Sequence, residues 1–232
     1  MASLLIGSRV WSSSPRRAAT LCCDAGRRFL AARAGGAVEM ANVIDRYNPK
    51  LGMLKAWASW SASTLAVVRL RSTLPGWTVP KFKLEAAQLY IDVGAALAAG
   101  SESKLRNLVT PSCLPVLLQS VQARPKGQRH TWETRNVQAS IRHVRIGHHA
   151  SNPGRQFAQI TCSIDAQVVW AITDKRTGAR VGGVGSAEAP HEAKGDLWIF
   201  ERCITEPGES QPAWRLKEKM GSLQDAASSQ SA

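Results

Sequence analysis

Acidic side chains are nearly absent from the first 38 residues, where Asp24 stands alone against Arg9, Arg16, Arg17, Arg27, Arg28 and Arg33. No apolar core of sufficient length follows the first charge, which excludes a secretory signal. The composition, cationic and rich in Ser and Ala, is that of a mitochondrial transit peptide, with Arg27-Arg28-Phe29-Leu30 as the expected cleavage neighbourhood. The chain also lacks an uncharged apolar run of about 18 residues, so no helix is expected to span a bilayer. Its best stretch, Leu51 to Val68, carries Lys55 and several serines and is at most an interfacial segment.

Cysteine is sparse. Of Cys22, Cys23, Cys113, Cys162 and Cys203, the last three are far apart and odd in number. That excludes a disulfide framework or a zinc site and leaves small buried thiols. Catalytic pairs are missing too. Tyr90, Asp92, His143 and Asp165 are the candidates for a cavity, yet no second acid or base has a spacing that forces it beside any of them. No enzyme activity is expected. His143, His148 and His149 do not make a metal site, because neighbours in a strand point to opposite faces. Val181-Gly182-Gly183-Val184-Gly185 lacks the Lys-Ser/Thr and helix of a phosphate loop and reads as a flexible strand or bulge. No cofactor and no small-molecule substrate are expected.

What the chain does have is positive charge. Its 232 residues carry a net +13, with 44% apolar side chains for a core. Such a balance points to a polyanion, either RNA or an acidic membrane surface. The charge is uneven: residues 150–232 hold nine basic and ten acidic groups, so the excess lies on the N-terminal side. Three clusters stand out as candidate RNA contacts: Arg46, Lys50 and Lys55; Arg69, Arg71, Lys81 and Lys83; and Arg124, Lys126, Arg129 and Arg135. The asymmetry suggests one docking face. Within residues 39–80, a basic extension, Tyr47, Trp57, Trp60 and Trp77 are interleaved with the cations. This combination fits an arm contacting RNA, an interfacial membrane segment, or a helix whose tryptophans pack on the domain. Pro75-Gly76 and Pro80 break the chain before a folded domain expected at residues 81–220.

In that domain, Phe82, Ala86, Leu89, Val93 and Leu97 form one stripe of an amphipathic helix, with Pro80 near its start and Gly100 at its end. Ser101 is placed to cap a short second helix. Thr110-Pro111 is placed to open a third, bearing Leu114, Leu117, Leu118 and Val121. After Gly127 the period becomes two. Val137, Ala139 and Ile141 share one parity, Val144 and Ile146 the other, which places a bulge between Ile141 and Val144. His143 follows Ile141 at inward parity. Ala158 to Ile172 alternates strictly, so Gln159, Thr161, Ser163, Asp165 and Gln167 should form a wet back. Asp174 to Gly178 is a hairpin turn, Val181 to Ala187 a weak strand, and Leu197 to Ile204 a central one. In the last strand Trp214, Leu216 and Met220 should face inward and Arg215, Lys217 and Lys219 outward. Residues 221–232 are small and polar and read as a disordered tail. The order is α+β, with N-terminal helices packed on a curved antiparallel β-sheet.

That layout resembles the nuclear-transport-factor-two-like cone. Phe82 to Val121 (FKLEAAQLYIDVGAALAAGSESKLRNLVTPSCLPVLLQSV) and Trp198 to Lys219 resemble the opening and closing of the Tim44-like domain family. That family includes an anchor of the mitochondrial import motor and a large-subunit protein of the mitochondrial ribosome. The resemblance implies a non-catalytic mitochondrial matrix protein working at the inner membrane. Only about 40 residues separate transit peptide and domain, whereas the import anchor has a long charged helical region there, which favours the ribosomal member. The partners then implied are ribosomal RNA, neighbouring mitochondrial ribosomal proteins, and inner-membrane lipids or an insertase near the polypeptide exit.

Overall fold

The computed structural model describes residues 39–40, 42–149, 152–205 and 213–222. The expected transit peptide lies outside the described residues. Four helices precede five strands among those residues: α1 (Met53–Thr73), α2 (Val79–Ala99), α3 (Glu102–Leu108), α4 (Leu114–Gln122), β1 (Gln128–His149), β2 (Asn152–Asp174), β3 (Arg180–Val184), β4 (His191–Cys203) and β5 (Arg215–Ser222). The sheet is antiparallel in the order β1-β2-β4-β5, and β3 pairs with β2. The α+β architecture read from the sequence is the one observed.

The chain forms α2 for local reasons. Thr78 stands at the N-cap, its hydroxyl accepting the Lys81 N–H at 3.3 Å, and Pro80 sits in the first turn where a missing N–H costs nothing. Gly100 ends the helix in the left-handed region at φ 65°. Phe82, Ala86, Tyr90 and Val93 are buried on its inner face. There they meet Ala158, Ile160, Cys162 and Ile164 of β2 with Trp198 and Phe200 of β4. Gly94 is the point of closest approach, since a methyl group there would lie 2.3 Å from the Trp132 indole.

Two helix starts differ from expectation. Ser101 is the N-cap of α3, but its hydroxyl pairs with Ser103 and makes no cap bond. Thr110-Pro111 does not open α4. The Thr110 N–H is donated to Leu216 of β5 at 2.9 Å, and a turn intervenes before the helix begins at Leu114. β5 bridges the neighbouring Val109, which is extended at φ −123°, and Pro115 supplies the first-turn proline instead.

The bulge in β1 is where the parity change put it. Ile141 opposes Cys162 and His143 opposes Thr161, so Arg142 is the extra residue. One consequence reverses the inward reading of His143. The inserted residue moves His143 to the outer face, with Thr161, and Val144 to the inner one, opposite Ile160.

The back of β2 is not wet. Gln159, Thr161 and Ser163 are buried, as are Leu197, Ile199 and Glu201 on the same face of β4. The segment from Glu39 to Lys50 runs across this face as a strap. The Ile44 N–H is donated to the Gln159 side-chain oxygen at 2.7 Å, and the Gln159 amide donates to Asn42 O at 3.2 Å and to Glu201 at 2.6 Å. The Met40 N–H reaches the other Glu201 oxygen at 3.0 Å. Lys217, expected to face solvent, is buried here. It donates to Glu39 at 3.2 Å, to Ser112 at 3.1 Å and to the Met40 carbonyl. Its alternation with Leu216 does put it on the outer face, where it is the extra residue between Leu216, opposite Phe200, and Glu218, opposite Ile199; the strap over that face is what buries it. Burial pushes the Glu201 carboxyl above its ordinary range, and the Lys217 ammonium opposes that shift.

Residues 53–80 also belong to this core, since Ala66, Leu70, Leu74 and Trp77 are buried within the same cluster. β5 runs to Ser222, which pairs with Asp196, and so takes in the first two residues of the expected tail.

Two substitutions test this packing. Gly to Ala inside a helix ordinarily stabilises by about 1 kcal/mol. Gly94→Ala is expected instead to destabilise by about 1–3 kcal/mol in urea denaturation, because the added methyl overlaps Trp132. Lys217→Met removes the buried cation from two carboxylates and is expected to cost about 3 kcal/mol in the same assay.

Candidate docking surfaces

The four side chains considered for catalysis do not converge. Tyr90 is buried between Trp132 and Trp198, with ring centroids 5.8 and 4.8 Å away, and burial raises its pKa beyond the reach of ordinary base chemistry. Asp92 accepts the Gln88 amide at 2.9 Å on the surface of α2. Asp165 accepts the Gly195 N–H at 2.7 Å and so fills the gap in the β2–β4 ladder between Ile164 and Ala166.

His143 anchors the strap. Its Nε2 lies 3.4 Å from Asp45, which also takes Arg145 Nε at 2.9 Å, and Tyr47 packs its ring at 6.1 Å. Asp45 is held at φ 70°, a left-handed turn that Asp tolerates. The Arg145 guanidinium reaches on to Ser59 Oγ and Ser63 Oγ, each at 2.9 Å, and Ser63 accepts the Val144 N–H at 3.3 Å. One arginine thereby ties strap, β1 and α1 together.

The predicted RNA-contacting residues separate into different settings. Arg46 pairs with Glu218 at 2.9 Å and pins the strap to β5. Arg69 donates to Gln156 at 2.8 Å. Arg124 caps α2, donating to the Leu97 and Ala98 carbonyls at 2.8 and 3.2 Å, where a cation meets the negative end of the helix. Lys50, Lys55, Arg71, Lys81, Lys83, Lys126, Arg129 and Arg135 are exposed. The clusters do not merge into one patch. Lys81 and Lys83 sit in the first turn of α2 and Arg124 at its last carbonyls, roughly 20 Å away at 1.5 Å per residue.

Two features were only partly visible in the sequence. The first is α1. Ala66 and Leu70 face the core, whereas Met53, Leu54, Trp57, Trp60, Leu65 and Val68 are exposed, Trp57 at 69% and Trp60 at 63%. At 100° per residue those six fall in one sector opposite Leu70. Of the three tryptophans in this region, only Trp77 packs in the core. No helix among the described residues is long and apolar enough to cross a membrane. The second is a cleft of about 620 Å³ at the C-terminal end of α2, where Lys175 from the β2–β3 turn and His130 join Arg124 and Arg129. Sequence reasoning did not reach Lys175 and His130. Their signal was the cationic turn tip beside Arg176, which sequence spacing alone does not bring to Arg129.

The model of the Tim44-like domain matches residues 63–220. This chain belongs to the Tim44-like domain family. A large ribosomal subunit protein, mL45 of Drosophila melanogaster, is 28% identical over 160 residues, covering 69% of this chain and 42% of the relative. The chain thus spans less than half of that relative's length. The intermembrane space region of the chloroplast protein ARC6 is similar at a TM-score of 0.35 and 10% identity, over 64% of this chain and 98% of that one, too low to bear on fold. The match begins at residue 63, inside α1, and so takes in the C-terminal half of that helix.

The strap's histidine gives a pH test. Burial, and then the neighbouring Arg145, lower the His143 pKa to about 4, against a partial opposing pull from Asp45. The folded state therefore prefers the neutral ring, and its contribution is complete above pH 6.5 and lost as pH falls toward 4. The expected loss is on the order of 3 kcal/mol across that window. Chemical denaturation at pH 7 and pH 4.5 should show His143→Gln with a flatter profile than the wild type. Parallel profiles would remove His143 from the account.

Proposed function

We propose that this chain is a non-catalytic component of the large subunit of a mitochondrial ribosome, set near the polypeptide exit, where it joins ribosomal RNA to the inner-membrane surface. The observation that carries the membrane part is α1: six exposed apolar side chains in one sector, two of them tryptophan, on a helix whose other side is fixed to the core. A helix of this kind lies in the plane of the interface, rings at headgroup depth. Lys55 and Arg71 on the same helix, and Lys50 just before it, supply charge that acidic phospholipids attract. The ribosomal part is supported by similarity to mL45 and by the exposed cations away from α1, Lys126, Arg129 and Arg135 among them, which can neutralise phosphates without reading sequence. Neighbouring ribosomal proteins are the further partners in this reading, and the location is the matrix side of the inner membrane.

A second reading comes from the family itself: an anchor of protein import would share the lipid-facing helix and differ in having no ribosome. Sucrose-gradient fractionation of detergent-solubilised mitochondria separates the two. Co-migration with the large subunit at low and moderate salt is the expected result, and migration with the translocase would overturn the ribosomal assignment. For the membrane part, Trp57→Ser/Trp60→Ser is expected to reduce co-flotation with cardiolipin-containing vesicles by at least about tenfold, since each exposed ring contributes on the order of 1–2 kcal/mol when withdrawn from water. Both positions are exposed, so the melting temperature should be retained. Undiminished flotation would sink the role of α1.

A further inference from the structure

The cleft at the end of α2 has walls of one electrical sign. Arg124, Arg129 and Lys175 line it, and no carboxylate does among the described residues. The two turns that carry the cations are tied together, because the Lys175 N–H is donated to the Gly127 carbonyl at 2.8 Å. Arg124 is held in place by the helix-end carbonyls it caps. The cations are thus partly preorganised, which lowers the ordering cost of a ligand.

His130 adds a directed donor. The Trp170 indole N–H points at His130 Nδ1 at 3.3 Å, so that nitrogen carries the lone pair and the ring proton resides on Nε2. Burial, and then Arg124, lower the His130 pKa and keep the ring neutral at neutral pH. Its Nε2 is buried and has no partner among the described residues. Three cations with no carboxylate among them around an open cleft call for an acceptor-rich anion.

The floor is apolar and short. Ala95, Ala98 and Ala99 span one helical turn, about 6 Å, and Val121 and Trp132 border them. An acyl chain needs a longer trough, and an inorganic phosphate would leave this floor uncovered. A flat ring of nucleobase width suits it, with its phosphate at the cationic rim.

We propose that this cleft binds one nucleotide of a single-stranded or looped RNA, its phosphodiester on Arg129 and Lys175 beside the His130 ring and its base over the Ala95–Ala99 turn. The inference rests on the RNA-binding reading above and specifies where that binding is localised. It gives the chain a pocket for an unstacked nucleotide in addition to diffuse charge attraction.

The test uses the full chain and a fluorescein-labelled, mixed-sequence RNA of roughly 12 nucleotides, followed by anisotropy as salt is varied. Ala95→Leu fills the floor without touching any charge, at an exposed helix position where Leu is well tolerated. It is expected to weaken binding at least about fivefold with unchanged melting temperature. Arg129→Ala/Lys175→Ala is expected to reduce the slope of log K against log salt by about 0.7, the value for leaving one phosphate of a single strand unneutralised. In the imidazole nitrogen spectrum, the His130 Nε2 resonance should shift on adding RNA. If wild type and Ala95→Leu bind RNA equally and the His130 signal stays put, the cleft is not the nucleotide site, though the RNA-binding reading stands. If the wild type binds no RNA but binds cardiolipin vesicles, and Arg129→Ala/Lys175→Ala abolishes this, the cleft is a lipid headgroup site and the RNA reading fails with the inference.

Discussion

Covering both faces of the central strands is the constraint from which the rest of the structure follows. β2 and β4 bury apolar side chains under α2 on one side and a mixed polar face under the strap on the other. A buried Gln, Glu and Lys are tolerable only when every polar atom has a partner. The strap supplies those partners with its backbone: the Met40 and Ile44 N–H groups and the Asn42 and Met40 carbonyls. Side chains add Glu39 on Lys217 and Asp45 on Arg145 and His143, while the buried Ser163 hydroxyl on this face has no partner among the described residues. The result is an α/β/strap sandwich in which the third layer is a short length of irregular chain.

This arrangement determines what is left for recognition. With the strap on the outer face of the central strands and α2 on the inner one, two of the surfaces left open among the described residues are the outer side of α1 and the end of α2. Arg145 fixes the inner side of α1 through Ser59 and Ser63, so the apolar sector of the helix has a set direction. Arg124 fixes the other surface by capping α2. In both places an arginine consumed in internal hydrogen bonds positions the groups that face outward. Arg124, read in the sequence as a phosphate contact, spends two of its donor interactions on the Leu97 and Ala98 carbonyls.

Legibility followed the range of the interactions. α2 was readable because Thr78, Pro80, Gly100 and the apolar stripe act within a few residues of one another. The bulge at Arg142 was readable because a parity change is local, and the central place of β4 because it is apolar on both faces. The strap was not. Gln159, Thr161 and Ser163 have the composition of a solvated face, and what buries them is chain more than 100 residues earlier. Lys217 failed for the same reason: alternation with Leu216 puts it on the outer face, and the chain that buries that face lies 177 positions earlier. The same limit hid the cleft, where the turn at Lys175 is tied to Gly127, at the start of the strand that carries Arg129, by a backbone hydrogen bond. The fall of the family match within α1, rather than at Pro80, has the same root, since Leu70 and Leu74 are core residues whose partners lie across the fold.

The strap also sets the order in which the molecule can be completed. Glu39 and Met40 stand at the start of the described chain, and the residue that holds them, Lys217, lies 178 and 177 positions later. Before that strand is in place the strap can hold the outer face only through Gln159 of β2 and Glu201 of β4. Closing so long a loop is slow relative to forming α2 or the β1–β2 hairpin. A product truncated before β5 would leave Glu39 and the Met40 carbonyl without the Lys217 ammonium, its polar layer half built.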